Sequence, residues 1–146
     1  STHSSHGDDT AIVRAADLKP VMTWLKERAG FDFLVDVTAV DYLGREPRFE
    51  VVYHLRSMAT GSRLRIKVQV GQIEEGPAPE VATVSDLWVT ANWQEREVWD
   101  MYGIKFTGHP DLRRILMYEE FIGHPLRKDY PKEKRQPLIR REYPLE

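Results

Sequence analysis

The chain has 146 residues, of which none is cysteine, and a formal net charge of −2. The absence of cysteine excludes disulfides, thiolate-bound iron–sulfur clusters, cysteine-containing zinc sites and a cysteine nucleophile. The length is typical of one domain that buries its own core, and no stretch approaches the roughly 18 apolar residues that a membrane-spanning helix needs.

After a polar lead, the first predicted element is a helix that follows Asp17 and runs to Ala29. Asp17 is a suitable N-cap, Pro20 lies in the first turn, and Gly30 can adopt the left-handed conformation that ends a helix. The apolar residues recur at helical spacing and form one face: Leu18, Val21, Met22, Leu25 and Ala29. We therefore expect this apolar face of the helix to pack against a sheet.

Three segments of alternating apolar and polar residues follow, over residues 31–39, 49–56 and 64–70. The turns between them are rich in glycine, proline and serine, so the segments predict an antiparallel meander with one apolar face. In the first segment the residues predicted to point to the core are Phe31, Phe33, Val35, Val37 and Ala39. We therefore predict an α+β fold with a mostly antiparallel sheet covered by helices on one face.

The other face of the meander carries polar and charged residues. His54 lies there without a second ligand nearby in the pattern, which favours an ordinary surface histidine over a metal ligand. Arg56, Arg65 and Lys67 form a basic face that is compatible with nucleic acid, but it lacks the interleaved aromatic residues on which bases stack. We therefore expect no nucleic-acid partner.

Beyond the meander, residues 74–79 are an acidic, Gly- and Pro-rich loop. Residues 81–84 predict a short edge strand, and residues 87–89 predict a brief helix capped by Ser85 and Asp86. The remaining part of the chain, from Asn92 to Pro131, is dense in charge and tryptophan.

A second long helix is predicted from Asn92 to Tyr102. Asn92 and Glu95 have the spacing of a capping box, and Gly103 is a suitable left-handed stop. Glu95 shares a helix face with aromatic residues, so if that face packs the carboxylate needs a cation or backbone donors. Arg113 and Arg114 are the nearest candidate cations. The alternative is a capping glutamate and a solvated charged face, on which Arg96 and Asp100 lie beside each other at i,i+4.

Two Gly-His-Pro turns follow this helix: Gly108, His109 and Pro110 in the first, and Gly123, His124 and Pro125 in the second. Glycine permits positive φ, and proline restricts its own residue and the one before it, so each turn is expected to be rigid. Each turn leads through a leucine to basic residues: Arg113 and Arg114 after the first, Arg127 and Lys128 after the second. The histidines are candidate metal ligands or general bases, but no third ligand shares a helical spacing with them, which favours hydrogen bonds to the turns.

Charge is distributed unevenly along the chain. Residues 1–104 contain 11 Lys and Arg against 16 Asp and Glu, whereas residues 105–146 contain 10 against 7. An acidic body with a basic end indicates that the end contacts a partner. We predict one α+β domain over residues 1–131 and an extended, irregular basic arm over residues 132–146 that lies on another protein.

The order of these motifs, Glu-Arg-Glu, Asp-Met-Tyr-Gly-Ile, GHPDLRRIL and GHPLRKDYP, resembles the signature of the 30 kDa (C) subunit family of respiratory complex I. The resemblance is close over residues 92–131 and extends to residues 17–86 only as a general layout. It implies an accessory subunit of NADH:quinone oxidoreductase that binds no cofactor, metal or substrate itself, while FMN, iron–sulfur clusters and quinone are bound elsewhere in the complex.

The resemblance also implies the partners. These are the large quinone-site subunit and other subunits of the hydrophilic arm, with membrane contact only through the complex, at the cytoplasmic face of the bacterial inner membrane or the matrix side in mitochondria. In this interpretation a polar lock holds the helix to the first turn, while Arg127, Lys128 and the arm meet the partner. The members of the lock are Glu95, Arg96, Glu97, Asp100, Arg113 and Arg114.

Two alternatives remain open at this point. The first is the equivalent subunit of a related membrane-bound hydrogenase or another dehydrogenase complex. The second is a module that binds nucleic acid through the basic arm, which a steep salt dependence of binding would reveal.

Overall fold

The predicted meander is present in the computed structural model, which describes residues 1–5, 8–72 and 76–138, and it forms three adjacent strands on one side of the main sheet. The strands are β1 (Thr2–Ser5), β2 (Asp8–Val13), β3 (Phe33–Asp41), β4 (Phe49–Arg56), β5 (Arg63–Val70), β6 (Glu80–Ala82) and β7 (Lys105–Thr107), and the helices are α1 (Leu18–Glu27) and α2 (Ala91–Tyr102). The main sheet has the order β1-β2-β5-β4-β3. The α+β class is therefore confirmed.

The N-terminal strands are not predicted by the sequence pattern, and they make the sheet mixed. β2 pairs with β5 in parallel, whereas β1–β2, β3–β4 and β4–β5 are antiparallel. Residues 1–10 contain no apolar side chain, so they lack the alternation that indicates a strand. The added strands cover the β5 edge of the meander and lengthen the sheet to five strands.

The predicted core face of β3 is correct only in its second half. Val37 and Ala39 are buried, but Phe33 and Val35 are 44% and 47% exposed, and Leu34 is buried instead. The pairing register with β4 shifts between Leu34 and Asp36, which indicates a β-bulge at this point. One extra residue reverses the side-chain alternation before the bulge, so the prediction for Phe33 and Val35 was wrong.

Both helices pack on one core with the apolar face of the sheet. In α1 the predicted Leu18, Met22 and Leu25 are buried. The helix ends at Glu27, two residues before the predicted Ala29, and a 3-10 turn over Ala15–Asp17 precedes it. Asp17 occupies the predicted N-cap position, but its side chain accepts a hydrogen bond from Arg14 at 2.6 Å and makes no capping hydrogen bond to the helix.

The segment before α2 also differs from the prediction. The residues predicted as a brief helix form turns, and β6 pairs in parallel with β7 in a separate two-stranded sheet away from the edge of the main sheet. α2 begins at Ala91 with Thr90 in the N-cap position, so the predicted capping box is absent. The predicted stop is confirmed, because Gly103 is left-handed with φ of 74°.

Side chains from the α2 region cover the edge of β3. Trp88 Nε1, Thr90 Oγ1 and Gln94 Nε2 donate to the carbonyl oxygens of Asp32, Leu34 and Val35 at 3.1, 3.5 and 3.2 Å. These hydrogen bonds use carbonyls that an edge strand otherwise leaves unpaired. They place α2 beside the sheet with its C-terminal end directed toward the Gly-His-Pro segment. Among the described residues, no helix is long and apolar enough to cross a membrane.

Candidate functional site

Asp100 is the centre of a buried polar cluster between α2 and the segment that follows it. Its side chain is fully buried, and Oδ1 accepts a hydrogen bond from Arg114 Nη1 at 2.5 Å. Oδ2 accepts three backbone N–H groups, from Ile115, Leu116 and Met117, at 3.1, 2.9 and 2.9 Å. Consecutive N–H groups that converge on one oxygen form an anion-binding nest, here occupied by a side chain of the same protein.

Two arginines complete this cluster. Arg114 Nη2 donates to the carbonyl oxygens of Phe121 and Gly123 at 2.9 and 3.1 Å. Arg96 donates to the carbonyl oxygens of Arg113 and Arg114 at 3.0 and 2.9 Å. We call Arg96, Asp100 and Arg114 the polar clamp, because together they hold the backbone of residues 113–123 against α2.

The hydrogen bonds of the polar clamp set the charge state of Asp100. Burial by itself raises the pKa of this carboxyl, but the three backbone N–H groups and the Arg114 guanidinium outweigh it and hold the pKa below its usual value. Asp100 is therefore ionised at neutral pH, and its charge is compensated within the chain.

The second Gly-His-Pro turn binds the C-terminal end of α2. The carbonyl oxygens of Asp100, Met101 and Tyr102 accept hydrogen bonds from His124 Nδ1, Leu126 N and Arg127 Nε at 2.9, 3.1 and 2.5 Å. The last carbonyls of a helix have no partner inside the helix, and a cation near them is favoured by the helix dipole. The turn therefore caps α2, and it does so with Arg127, one of the residues expected to meet a partner.

Gly103 allows this capping because it has no side chain. A Cβ at this position would lie 2.5 Å from both His124 Nε2 and an Arg127 guanidinium nitrogen. We expect Gly103→Ala to lower the free energy of unfolding by about 2–3 kcal/mol, through left-handed strain and loss of the cap contacts. Urea unfolding followed by tryptophan fluorescence would measure it.

Gly61→Ala is a matched control for that substitution. Gly61 has a similar φ of 73°, but nothing lies within 4 Å of the position of an added Cβ. It should lose only the strain of the left-handed conformation, about 1 kcal/mol. Equal losses in the two variants would show that the contacts of Gly103 with the second turn do not matter.

The first Gly-His-Pro turn is fixed at the opposite end of α2. His109 Nε2 donates to the carbonyl oxygen of Asn92 at 3.0 Å, and His109 Nδ1 accepts the N–H of Asp111 at 3.0 Å. This pattern corresponds to the tautomer that carries its proton on Nε2. Both turn histidines thus hydrogen-bond to backbone groups, and the described residues contain no group of three His, Asp or Glu side chains that could hold a metal ion.

Glu95 does not pair with Arg113 or Arg114, so that prediction was wrong. The carboxylate is fully buried and accepts hydrogen bonds from Thr83 Oγ1 at 2.5 Å and from the Val84 N–H at 2.8 Å. Burial, only partly offset by these hydrogen bonds, raises its pKa to about 7. Of the two arginines, Arg114 binds Asp100, and Arg113 pairs with Asp111 at the surface.

The remaining predicted site residues lie at the surface or shape the turns. Glu97, Gly108, Pro110 and Lys128 are exposed, and Gly123 and Pro125 are half-buried. Gly108 and Gly123 both have positive φ, as the turns require. The predicted lock therefore consists of Arg96, Asp100 and Arg114, while Glu95 belongs to a separate site beside β6.

A third buried cluster is one that the sequence pattern does not predict. Arg48 binds both oxygens of Asp41 at 2.8 Å and also donates to Asp129 at 2.9 Å, and the Lys128 N–H donates to Asp41 at 2.8 Å. The cluster joins the β3–β4 hairpin to the end of the Gly-His-Pro segment. The sequence offers one signal for this cluster, which is the opposite charges of Asp41 and Arg48 near the facing ends of two predicted strands. The third member, Asp129, lies 81 residues after Arg48 in the sequence.

The described part of the basic arm folds back on the preceding segment. The Ile122 N–H donates to Gln136 Oε1 at 3.2 Å, and Gln136 Nε2 donates to the carbonyl oxygen of Ile122 at 3.0 Å. Tyr118 also donates to the carbonyl oxygen of Pro137 at 3.2 Å. The part of the predicted arm over residues 139–146 lies outside the described residues.

Comparison with known proteins gives a consistent relationship. Residues 11–136 match the family described as respiratory-chain NADH dehydrogenase, 30 Kd subunit. The C subunit of NADH-quinone oxidoreductase from Geotalea uraniireducens is 52% identical over 125 residues, which cover 86% of this chain and 74% of that protein. The C/D subunit of NADH-quinone oxidoreductase from Bdellovibrio bacteriovorus is 48% identical over 124 residues, or 85% of this chain and 21% of that protein.

A solved structure has the same fold. A chain of the membrane-bound sulfane sulfur reductase, an archaeal respiratory membrane complex, superposes with a TM-score of 0.77 and 26% sequence identity, over 91% of this chain and 78% of that one. The family match spans β3 to β5 of the main sheet, both helices and both Gly-His-Pro turns. The chain therefore belongs to the 30 kDa (C) subunit family of respiratory-chain NADH dehydrogenase, complex I.

Proposed function

We propose that this chain is an accessory subunit that docks on the large quinone-site subunit of the hydrophilic arm and helps to assemble and shape the quinone-reducing module. The docking surface is the outer side of the Gly-His-Pro segment, residues 108–131, together with the arm. In this proposal the chain works at the cytoplasmic face of the membrane, or the matrix side in mitochondria, and reaches the membrane only through its partners.

The orientation of side chains along the Gly-His-Pro segment carries this proposal. Its buried polar groups face inward and bind α2, whereas Leu116, Ile122 and Leu126 are 57%, 58% and 52% exposed. An irregular segment that is fixed by polar contacts and displays large apolar side chains has the composition of a protein interface. A groove of about 660 Å³ lies along the same surface, between Met117–Glu120 and Gln136–Leu138.

The relative named C/D supports the choice of partner. There the segment related to this chain occupies about one fifth of a longer polypeptide named for both subunits. Two subunits joined in one polypeptide are held at high effective concentration, an arrangement suited to subunits that contact each other.

The proposal assigns no flavin, cluster or quinone ligand to this chain. Its support is that four of the predicted site residues, each with the chemistry of a ligand or a catalyst, are already hydrogen-bonded within the chain. Asp100 binds the backbone of residues 115–117, His109 and His124 bind helix carbonyls, and Glu95 binds Thr83 and Val84. The groups that transfer electrons would therefore be held by other subunits.

The solved neighbour supports a second candidate of the same kind. The structure of an archaeal sulfane sulfur reductase contains a chain with this fold, so the equivalent subunit of a related membrane-bound respiratory complex is the runner-up. Purification of the tagged chain from its native membranes would separate the two candidates. An NADH-oxidising subunit in the purified complex supports complex I, and its replacement by another electron-input subunit supports the runner-up.

We expect the double substitution Ile122→Asp and Leu126→Asp to lower recovery of the large subunit with the tagged chain at least about tenfold, because two charges would be buried at the interface. The unfolding free energy of the isolated chain should change by less than about 0.5 kcal/mol, since both residues are exposed. The assay is a pull-down quantified by mass spectrometry.

Val89→Asp is the control for this double substitution. Val89 is 87% exposed and precedes α2, away from the end of the helix that binds the second turn. It should leave recovery of the large subunit unchanged. Normal recovery with the double variant would refute docking through the Gly-His-Pro segment.

A further inference from the structure

A pocket of about 340 Å³ lies at one end of the face of the main sheet that the helices do not cover. We call it the basic pocket. It is lined by His54, Arg56, Arg63 and Arg65, with Val35, Leu55 and Leu64. It is formed by β4 and β5 and the bulge of β3, so it belongs neither to the polar clamp nor to the Gly-His-Pro segment.

The basic side chains of the pocket lie directly opposite one another across two strands, and one of these pairs consists of two arginines. Arg56 pairs in register with Arg63, and His54 pairs with Arg65. Like charges at directly opposite positions destabilise an antiparallel pair. Among the described residues, the side chains of Arg56 and Arg63 form no hydrogen bond or ion pair. The carboxylate residue opposite His54 in the pairing of β3 with β4 is Asp36.

At the other end of the same face, the basic side chains are paired with a carboxylate of the same chain. Glu50 is buried there and accepts hydrogen bonds from Arg45, Lys67 and Gln69 at 2.9, 3.0 and 3.0 Å. Burial raises the pKa of Glu50, but these donors outweigh it and lower the pKa to about 2. Within the described part of the chain, the sheet therefore balances charge at one end and leaves two opposed arginines without an acidic partner at the other.

Apolar side chains border the basic pocket. Phe33, 44% exposed, pairs opposite Arg56, and Val35 is 47% exposed at the bulge. Exposed aromatic and aliphatic groups beside arginine are characteristic of protein interfaces, where a guanidinium can bind a carboxylate with two parallel hydrogen bonds. With one aromatic residue at its border and a net charge of −2 for the whole chain, the surface is less suited to nucleic acid.

We propose that the basic pocket binds an acidic, carboxylate-bearing segment of another subunit of the complex, so that this chain is held at two separate surfaces. This inference rests on the proposed role as an accessory subunit, because the partner would belong to the same assembly. The charge of the pocket and its apolar border select an Asp- or Glu-containing peptide that also carries apolar side chains.

Zero-length cross-linking in the intact complex tests this inference. The variant Arg56→Lys/Arg63→Lys keeps both charges and introduces amines, which a carbodiimide couples to carboxylates in direct contact. We expect cross-links from position 56 or 63 to an Asp or Glu of another subunit, identified by mass spectrometry. Arg28→Lys, at an exposed arginine after α1, is the control and should give no such cross-link to that segment.

A second variant measures the contribution of the charges. Arg56→Gln/Arg63→Gln should lower retention of the chain in the complex at least fivefold during a wash in moderate salt. The thermal midpoint of the isolated chain should stay equal or rise, because the repulsion between opposed arginines is removed. A merely structural role of the arginines would instead lower that midpoint.

The outcomes separate this inference from the proposed function. Cross-links only to carboxylates of the same chain would overturn the proposal that the basic pocket binds another subunit, and so would unchanged retention of the glutamine variant. Neither result would affect the proposed docking through Ile122 and Leu126. The proposal would also be overturned if the wild-type chain binds RNA or anionic vesicles, the glutamine variant does not, and no cross-link to another subunit forms. Failure of the wild-type chain to co-purify with any respiratory subunit would refute the proposed function itself.

Discussion

Replacement of Asp100 by alanine is expected to lower the free energy of unfolding by about 3–5 kcal/mol, the range observed when one partner of a buried ion pair is removed. The substitution leaves the Arg114 guanidinium, whose side chain is 13% exposed, without its carboxylate. It also leaves the N–H groups of residues 115–117 without their acceptor. Each buried donor that loses its partner adds a desolvation cost.

Urea unfolding of the isolated domain measures this loss, and Asp111→Ala is the matched control. Asp111 also pairs with an arginine, Arg113, at 2.9 Å, but both side chains are more than half exposed. Exposed pairs contribute little, so the control should lose less than about 0.5 kcal/mol. A loss below about 1 kcal/mol for Asp100→Ala would show that the polar clamp does not fix the segment.

The acid side of the stability profile gives an independent check. The pKa of Asp100 is lowered in the folded protein, so its contribution to stability is present above the unfolded pKa and is lost as the pH falls through the folded pKa. The wild-type domain should therefore lose stability in acid more steeply than Asp100→Ala. Parallel acid profiles would contradict the assigned hydrogen bonds.

The local sequence pattern is sufficient to predict those parts of the fold in which the interacting residues are close together in the sequence. The meander, the buried face of α1 and the left-handed Gly103 all follow from periodicity and turn chemistry. The motif order is also sufficient to indicate the family. In contrast, the polar β1 and the polar first half of β2 have no strand pattern of their own, and they join the sheet because β2 pairs with the edge of β5 and β1 pairs with β2. A single bulge also exchanges the roles of Leu34 and Val35.

The partners of buried charges could not be predicted from spacing. By sequence, Arg114 is a candidate cation for Glu95 as much as for Asp100, because both carboxylates lie on the same helix at compatible distances along the chain. The actual pairing depends on which side of α2 faces the loop of residues 113–117 and which faces β6. Asp129 meets Arg48 across 81 residues, and no local signal specifies such a contact.

These contacts connect the buried charges to the proposed interface. The Gly-His-Pro segment, all of which the structure describes, contains no regular helix or strand after β7, so its shape depends on polar groups of the body. Asp100, the carbonyls at the end of α2 and Asp41 each hold a different part of it. A surface built this way is ordered before it meets a partner, which reduces the entropy lost on binding.

Glu95→Gln is expected to make the domain more stable than wild type by about 2–3 kcal/mol at pH 8, with little difference at pH 4.5. The pKa of Glu95 is about 7 in the fold against an ordinary value of 4.5, because burial disfavours the charged form. A raised carboxyl pKa contributes stability that is fully present below about 4.5 and is lost as the pH rises through about 7. Glutamine is neutral throughout this range and does not show the loss.

The surroundings of Glu95 can accommodate the amide. Its oxygen can accept the Val84 N–H in place of Oε1, and its nitrogen can donate to Thr83 Oγ1, whose own proton then goes to Ser85 Oγ at 2.8 Å. Chemical unfolding at pH 4.5, 6, 7 and 8 tests the prediction, and Glu97→Gln, at an exposed position of the same helix, is the control that keeps the wild-type profile. If Glu95→Gln is less stable than wild type at pH 8, the carboxylate must be charged and paired in the fold, as the sequence pattern indicates. If the pH dependence of stability is weaker in Glu95→Gln than in wild type, Glu95 holds α2 to β6 as a neutral buried acid. Of the two buried carboxylates of α2, Asp100 is then the one whose charge orders the docking segment.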